Sequence, residues 1–165
     1  MTGISFFAKD IFPWQNELSE TIDKEVFIIS HLRQPDLFLR IRPGKEEILK
    51  RKLSADKIEF KNLSENCIAI HNSSGIDRII EINNEAVVQD YSSQRTGTFL
   101  QNLQPAVRQP QESNSKFSIW DCCAASGGKS IMAYDIISNI DLTVSDIRES
   151  VLANLRKRFA EAGIK

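Results

Sequence analysis

One segment constrains this chain more than any other: WDCCAASGGKS at residues 120–130, with Asp146 following in DLTVSD. SIWDCCAA reads as a buried-type strand, SGGKSIMAYDIISN as a glycine turn entering a helix, DLTVSD as a second strand, and RESVLANLRKRFAEAGI as an amphipathic helix with Gly163 as its C-cap. A succession of strand, turn, helix, strand and helix predicts neighbouring parallel strands of a doubly wound sheet. Small residues and two glycines at the turn let a ligand approach the backbone, and the helix start presents N–H groups without intrahelical partners. A carboxylate ending the second strand is placed to accept both hydroxyls of a ribose, and Asp146 is that carboxylate.

Two better-known glycine loops fit less well. Gly128, Lys129 and Ser130 match the end of the phosphate-binding GxxxxGK[ST] pattern, but its first glycine is Cys123 here. A dinucleotide GxGxxG pattern fails because the turn offers only the adjacent Gly127 and Gly128. The P-loop-like nucleotide binder is therefore the weaker reading.

Upstream, LFLRIRP at 37–43 alternates like a half-buried strand and stops at Pro43 and Gly44; KEEILKRKL continues as an amphipathic helix. IEF at 58–60 and CIAIH at 67–71 read as strands separated by a turn-rich KNLSEN, GIDRIIEI as a short helix, and EAVVQDY as a further strand. This order is ferredoxin-like, or RRM-like, although the aromatic signature that would stack bases is missing. Before it, Leu18, Ile22, Val26 and Ile29 recur at helical spacing; after it, residues 92–104 predict a helix and PAVRQPQESNSKF a polar connection.

The chain has 165 residues and a formal net charge of -1, which excludes nucleic-acid binding by bulk charge. Charge is nevertheless uneven: residues 1–32 carry five acids and two bases, whereas residues 33–61 carry nine bases and five acids. Arg40, Arg42, Lys45, Lys50, Arg51 and Lys52 fall in the basic stretch and are the candidate RNA-phosphate contacts. Cys67, Cys122 and Cys123 are odd in number and lack CxxC spacing, so neither a disulfide framework nor a metal site is expected. No apolar run approaches the roughly 20 residues of a membrane span, and the opening MTGISFFAKD lacks the pattern of a secretory signal, so a cytoplasmic protein without membrane contact is expected.

These residues resemble the Nop/Sun family of RNA cytosine-5 methyltransferases, which use S-adenosylmethionine. The family's first cofactor motif runs Asp, any residue, Cys, Ala, Ala, Pro, Gly, Gly, Lys, Thr. Asp121, Cys123, Ala124, Ala125, Gly127, Gly128 and Lys129 match it, with Ser126 for the proline and Ser130 for the threonine. Asp146 matches the acid of the second motif, although the arginine usual five residues later is Val151 here and Arg148 lies close. Upstream, Arg40, Ile41 and Lys45 match an Arg, apolar, Asn strand with its nearby lysine, Arg42 replacing the asparagine; Gln89, Asp90, Ser92, Ser93 and Gln94 reproduce a QDxSSQ segment.

The resemblance implies S-adenosylmethionine bound by Cys123, Ala124, Ala125, Ser126, Gly127, Gly128, Lys129 and Asp146, with Asp121 orienting the loop and Cys123 a loop residue, not a nucleophile. It implies methylation of cytosine carbon 5 in RNA, ribosomal RNA foremost, through catalytic cysteines expected beyond Lys165. The expected plan is N-terminal helices (1–34), an RRM-like, ferredoxin-like RNA-positioning domain (35–90), a connecting helix and linker (91–116), and the first βαβα part of a Rossmann-like methyltransferase domain (117–165). The fold class is thus an α+β N-terminal domain followed by a truncated Rossmann-like one. Its incomplete sheet is expected to be covered by a missing C-terminal segment or by self-association. A non-catalytic RNA-binding or assembly module with a remnant cofactor fold is the alternative from a different class.

Overall fold

A computed structural model describes residues 7, 10–107, 116–137 and 139–165, with residues 103–107 as backbone alone. They fall into two compact units, 1–35 and 36–165. In the first, helix α1 (Lys24–Ser30) starts at Asp23, whose carboxylate accepts the Val26 N–H at 3.0 Å. Phe12 packs edge-on against Trp14 and Phe27 and stacks on His31. The expected Leu18, Ile22, Val26, Ile29 stripe does not form. The cap at Asp23 leaves Leu18 and Ile22 before the helix, Ile28 is the residue α1 buries, and Val26 and Ile29 face solvent.

The second unit opens with β1 (Leu37–Ile41), α2 (Glu46–Ala55), β2 (Phe60–Ser64), β3 (Cys67–Ile70) and β4 (Ala86–Val88), paired antiparallel in the order β2-β3-β1-β4. That is the strand order of a ferredoxin-like sheet. Strand alternation divides its side chains: Leu39, Ile41, Ile68 and Ile70 meet Leu49 and Leu53 of α2. Those two leucines sit one helical turn apart and are fully buried, each contributing roughly 2 kcal/mol of transfer free energy. Two sequence expectations fail within this sheet. Lys61–Ser64, expected as a turn, are strand: β2 is an exposed edge whose polar side chains hide its period. GIDRIIEI forms only a short 3-10 turn at Ile76–Arg78, from which Ile76 and Ile80 still fill the core.

Residues 91–107 are more than a connection. They form α3 (Tyr91–Arg95) and α4 (Gly97–Val107), which pack on α5 (Gly128–Ile136). The remainder of the expected linker, 108–115, lies outside the described residues. Strands β5 (Phe117–Asp121) and β6 (Ile140–Val144) pair in parallel, Phe117 opposite Ile140 through Asp121 opposite Val144, and α6 (Glu149–Glu161) follows. Helix α6 ends with Gly163 in the left-handed region at φ +71°.

The expectation of a fully buried strand at SIWD is corrected by alternation. Phe117, Ile119 and Asp121 turn inward, while Ser118 and Trp120 lie exposed beside Asp141 and Thr143 of β6. Helix α5 carries the core instead: Ser130, Ile131, Met132 and Ala133 are consecutive and all buried, so the covered arc is wider than one face, with Lys129 and Tyr134 left exposed. Val87 of β4 packs with Ile131 of α5 and with Phe159, Ala162 and Ile164 at the end of α6. The small sheet is therefore covered on both faces, by α2 on one and by the second half of its own unit on the other. Among the described residues no helix is long and apolar enough to cross a membrane, and no cluster of His, Cys, Asp and Glu is arranged to hold a metal.

Candidate cofactor-binding site

The turn after β5 is held from three directions. From within, Asp121 accepts the Ser130 hydroxyl at 2.6 Å and, through its other oxygen, the Cys123 N–H at 3.4 Å. From the sheet, Ser145 N donates to the Asp121 carbonyl at 2.9 Å and Ala124 N to the Ser145 carbonyl at 3.0 Å, which carries the parallel ladder past both strands. From α6, Arg158 donates to the carbonyl of Ser126 at 3.0 Å and to its hydroxyl at 2.8 Å, and by Nε to Asn83. The hydroxyl that replaces a proline at 126 thus has a definite use.

Backbone conformation explains the small residues. Ala125 and Gly127 both adopt left-handed φ, +46° and +84°. A Cβ at Gly127 would stand 2.9 Å from the Phe159 ring and 3.0 Å from Leu155 Cγ, so glycine is required there both by conformation and by the approach of α6. The packing partner that excludes a side chain is the protein itself.

Asp146 follows β6 and closes the loop. Its Oδ2 accepts the Ala125 N–H at 3.0 Å and Arg148 Nη2 at 3.3 Å; its Oδ1 accepts the Arg148 N–H at 3.0 Å and Arg148 Nε at 3.1 Å. The side chain of Arg148 foremost, then its backbone N–H, holds the Asp146 carboxyl down at about 2, the Ala125 N–H adding to this against partial burial. Asp146 is ionised at any ordinary pH. Next to it Ile147 is 98% exposed, and Trp120, 69% exposed, donates to the Ser145 hydroxyl at 3.0 Å. An ionised acceptor, small side chains around left-handed backbone, the first turn of α5 and an unburied isoleucine form one surface. An ionised carboxylate at a strand end is an acceptor of the kind that the hydroxyl donors of a vicinal diol require.

The sequence-derived site residues divide. Ala124, Ala125, Ser126, Gly127 and Asp146 are tied together by the bonds above; Gly128 begins α5 beside Gln89, and Lys129 is exposed on its first turn. Cys123 is exposed, and a hydrogen bond and charge from Cys122, with Asp146 and Asp121 nearby, push its thiol up. Burial does the same for Cys67. Neither is an activated nucleophile.

The basic residues require a correction. Because Leu39 and Ile41 face α2, Arg40 and Arg42 point to the opposite side, where α5 covers them. Arg40 Nη1 meets Asp135 Oδ2 at 2.5 Å and its Nε donates to Gln89 at 2.9 Å; Arg42 bonds Asp135 at 2.7 Å and 3.0 Å and the Ala162 carbonyl at 2.6 Å. The side chains of Arg40 and Asp135 are both only 4% exposed. These two arginines form no RNA patch. Lys52 binds the buried Glu85 at 2.8 Å and Lys50 pairs with Glu46 one turn away, Lys45 is half-buried, and Arg51 is exposed. Sequence reasoning missed Asp135 and Arg158, and named Gln89 only as part of the QDxSSQ segment, without its bond to Arg40. The signal for the first was present: Asp135 is the lone acid in the apolar run SIMAYDII, where a carboxylate calls for a buried partner.

An open cleft of about 830 Å³ lies away from the loop, lined by Arg40, Tyr91, Gln94, Arg95, Met132 and Asp135 among others. No residue of 121–130 or 146–148 borders it.

The chain matches no family model and no curated protein sequence. It does resemble solved structures. The crystal structure of PH0851 superposes with a TM-score of 0.73 at 20% identity, over 94% of this chain and 34% of that one. The structure of a methyltransferase homolog protein from Pyrococcus horikoshii superposes with a TM-score of 0.66 at 15% identity, over 86% of this chain and 45% of that one. The chain thus spans between a third and a half of the length of these two proteins, and it shares the fold of the corresponding part of a methyltransferase homolog.

Proposed function

We propose that this chain supplies the cofactor-binding part of an S-adenosylmethionine-dependent methyltransferase that modifies carbon 5 of cytosine in RNA, ribosomal RNA foremost, in the cytoplasm. The observation that carries the reading is the bond from Ala125 N–H to Asp146, which joins the glycine turn to the acid after the next strand. Similarity of fold to a methyltransferase homolog supports the general class. The finer statement rests on the ordered Nop/Sun-like motifs at Arg40–Lys45, Gln89–Gln94, Asp121–Lys129 and Asp146.

On this reading Asp146 holds the ribose hydroxyls, Ile147 offers an apolar wall to the adenine, and the backbone of Cys123–Lys129 lies along the rest of the cofactor. When bound, S-adenosylmethionine supplies an electrophilic methyl group. Arg40 and Arg42 act as internal ties between the small sheet and α5, so contacts to RNA phosphates fall to other cations, Arg51 and Lys129 among the exposed ones. On this reading the covalent step does not fall to Cys67 or Cys123, whose thiols are both shifted away from the reactive thiolate.

Isothermal titration of the chain with S-adenosylhomocysteine tests the proposal. Binding that falls at least about tenfold in Asp146→Ala is expected, two hydrogen bonds to a charged group being lost. Absence of binding to the unmodified chain, or equal affinity of the variant with its helical circular dichroism preserved, would refute it.

A further inference from the structure

Asp146 is already saturated. An ionised carboxylate offers about four lone-pair directions, and four donors use them: the N–H groups of Ala125 and Arg148, and Nε and Nη2 of Arg148. The two backbone donors are fixed by the loop and by the start of α6. The guanidinium is not: it is 60% exposed, and among the described residues it bonds nothing but Asp146. A vicinal diol brings two hydroxyl donors to the same two oxygens. Both sets cannot be accommodated together.

We infer that the Arg148 side chain is a latch on the nucleoside site, occupying the face of Asp146 that receives the ribose and exchanged for the two hydroxyls when a ligand binds. This inference rests on the cofactor reading given above and adds a selectivity to it. A ribonucleoside replaces the two bonds that leave with Arg148, whereas a sugar lacking both hydroxyls brings no donors to Asp146 and binds with the latch still closed. Apparent affinity is reduced by the fraction of open sites, so a latch closed about four-fifths of the time weakens a ribonucleoside about fivefold. An exposed bidentate ion pair can sustain a closure of that order.

Arg148→Ala removes the latch without removing the start of α6, because the carbonyl of residue 148 and not its side chain receives the first helical N–H groups, from Val151 and Leu152. Titration calorimetry on the whole chain would compare S-adenosylhomocysteine, adenosine and 2′,3′-dideoxyadenosine. The expected result is that Arg148→Ala binds the first two about fivefold more tightly and the dideoxynucleoside no more tightly, with Arg148→Lys in between. Unchanged or weaker binding of S-adenosylhomocysteine to Arg148→Ala, beside measurable binding to the unmodified chain, overturns the latch and leaves the nucleoside site standing. A gain shared equally by the dideoxynucleoside overturns it too, since the effect would then be one of charge alone. Failure of every ligand to bind either form overturns the latch together with the reading beneath it.

Discussion

Replacing Asp135 by alanine should be among the most damaging single changes in this protein. Its carboxylate receives Arg40 at 2.5 Å and Arg42 at 2.7 Å and 3.0 Å, with 4% of the side chain exposed. Without it Arg42 keeps the carbonyls of Ala162 and Asn83, but Arg40 keeps only Gln89, and its Nη2 has no partner even in the intact network. Burial already pulls the Arg40 guanidinium below its ordinary range, opposed by the charge and hydrogen bond of Asp135. Removing that opposition leaves an uncompensated buried cation, which costs about 4 kcal/mol, a large part of the roughly 5–15 kcal/mol that holds a domain together. Asp135→Asn keeps the shape and one acceptor and should cost about half as much. A triple variant, Arg40→Met, Arg42→Leu and Asp135→Leu, should regain most of the loss, because the pair contributes little beyond a well-packed apolar core. Urea unfolding followed by circular dichroism at 222 nm gives all three values from the midpoint shift at constant slope. A cost under about 1 kcal/mol for Asp135→Ala, or a triple variant as unstable as the single one, would refute the argument.

Other changes test the loop. Gly127→Ala forces a side chain into left-handed backbone and against Phe159 and Leu155, and thermal unfolding should show a loss of about 2–3 kcal/mol. Arg148→Ala should raise the Asp146 carboxyl from about 2 toward its reference of 3.8, seen by carboxyl-carbon NMR titration. The sign follows from the depressed value: what the Arg148–Asp146 pair adds to stability is fully present above 3.8 and is lost as pH falls through about 2, so the variant should narrow that acid-sensitive window.

The parts of this architecture legible in the chain were those written in periodicity and turn chemistry. Alternation in LFLRI, the Leu49 and Leu53 pair, the glycine turn and Gly163 each have a local cause, and the structure places a strand, a helix, a left-handed turn and a helix end at those positions. Long-range partnership was less visible. Arg40 and Arg42 look like surface cations until Asp135, more than ninety residues away, is brought over them. A separation of 32 residues likewise hid the dependence of Ser126 on Arg158, while β2 was hidden by its position at a solvent-exposed edge. Asp146 could be assigned as an acceptor because a strand end fixes where its carboxylate stands. Its engagement with Arg148 depends on a rotamer, which no pattern of residue types encodes.

The double covering of the small sheet bears on how a protein of this kind can be divided and recombined. Along the chain, residues 36–90 look like an interchangeable cassette placed before a second one. In space, Val87 shares a core with Ile131 and Phe159, and two guanidiniums of the first segment share one carboxylate of the second. A cut near residue 90 would therefore leave a sheet with buried cations turned to water and a helix with an orphaned acid. A grafted sheet would succeed only if it brought bases to meet Asp135. Sheet and helix must be inherited as a matched set, and a substitution at position 40, 42 or 135 restricts what the other two can become.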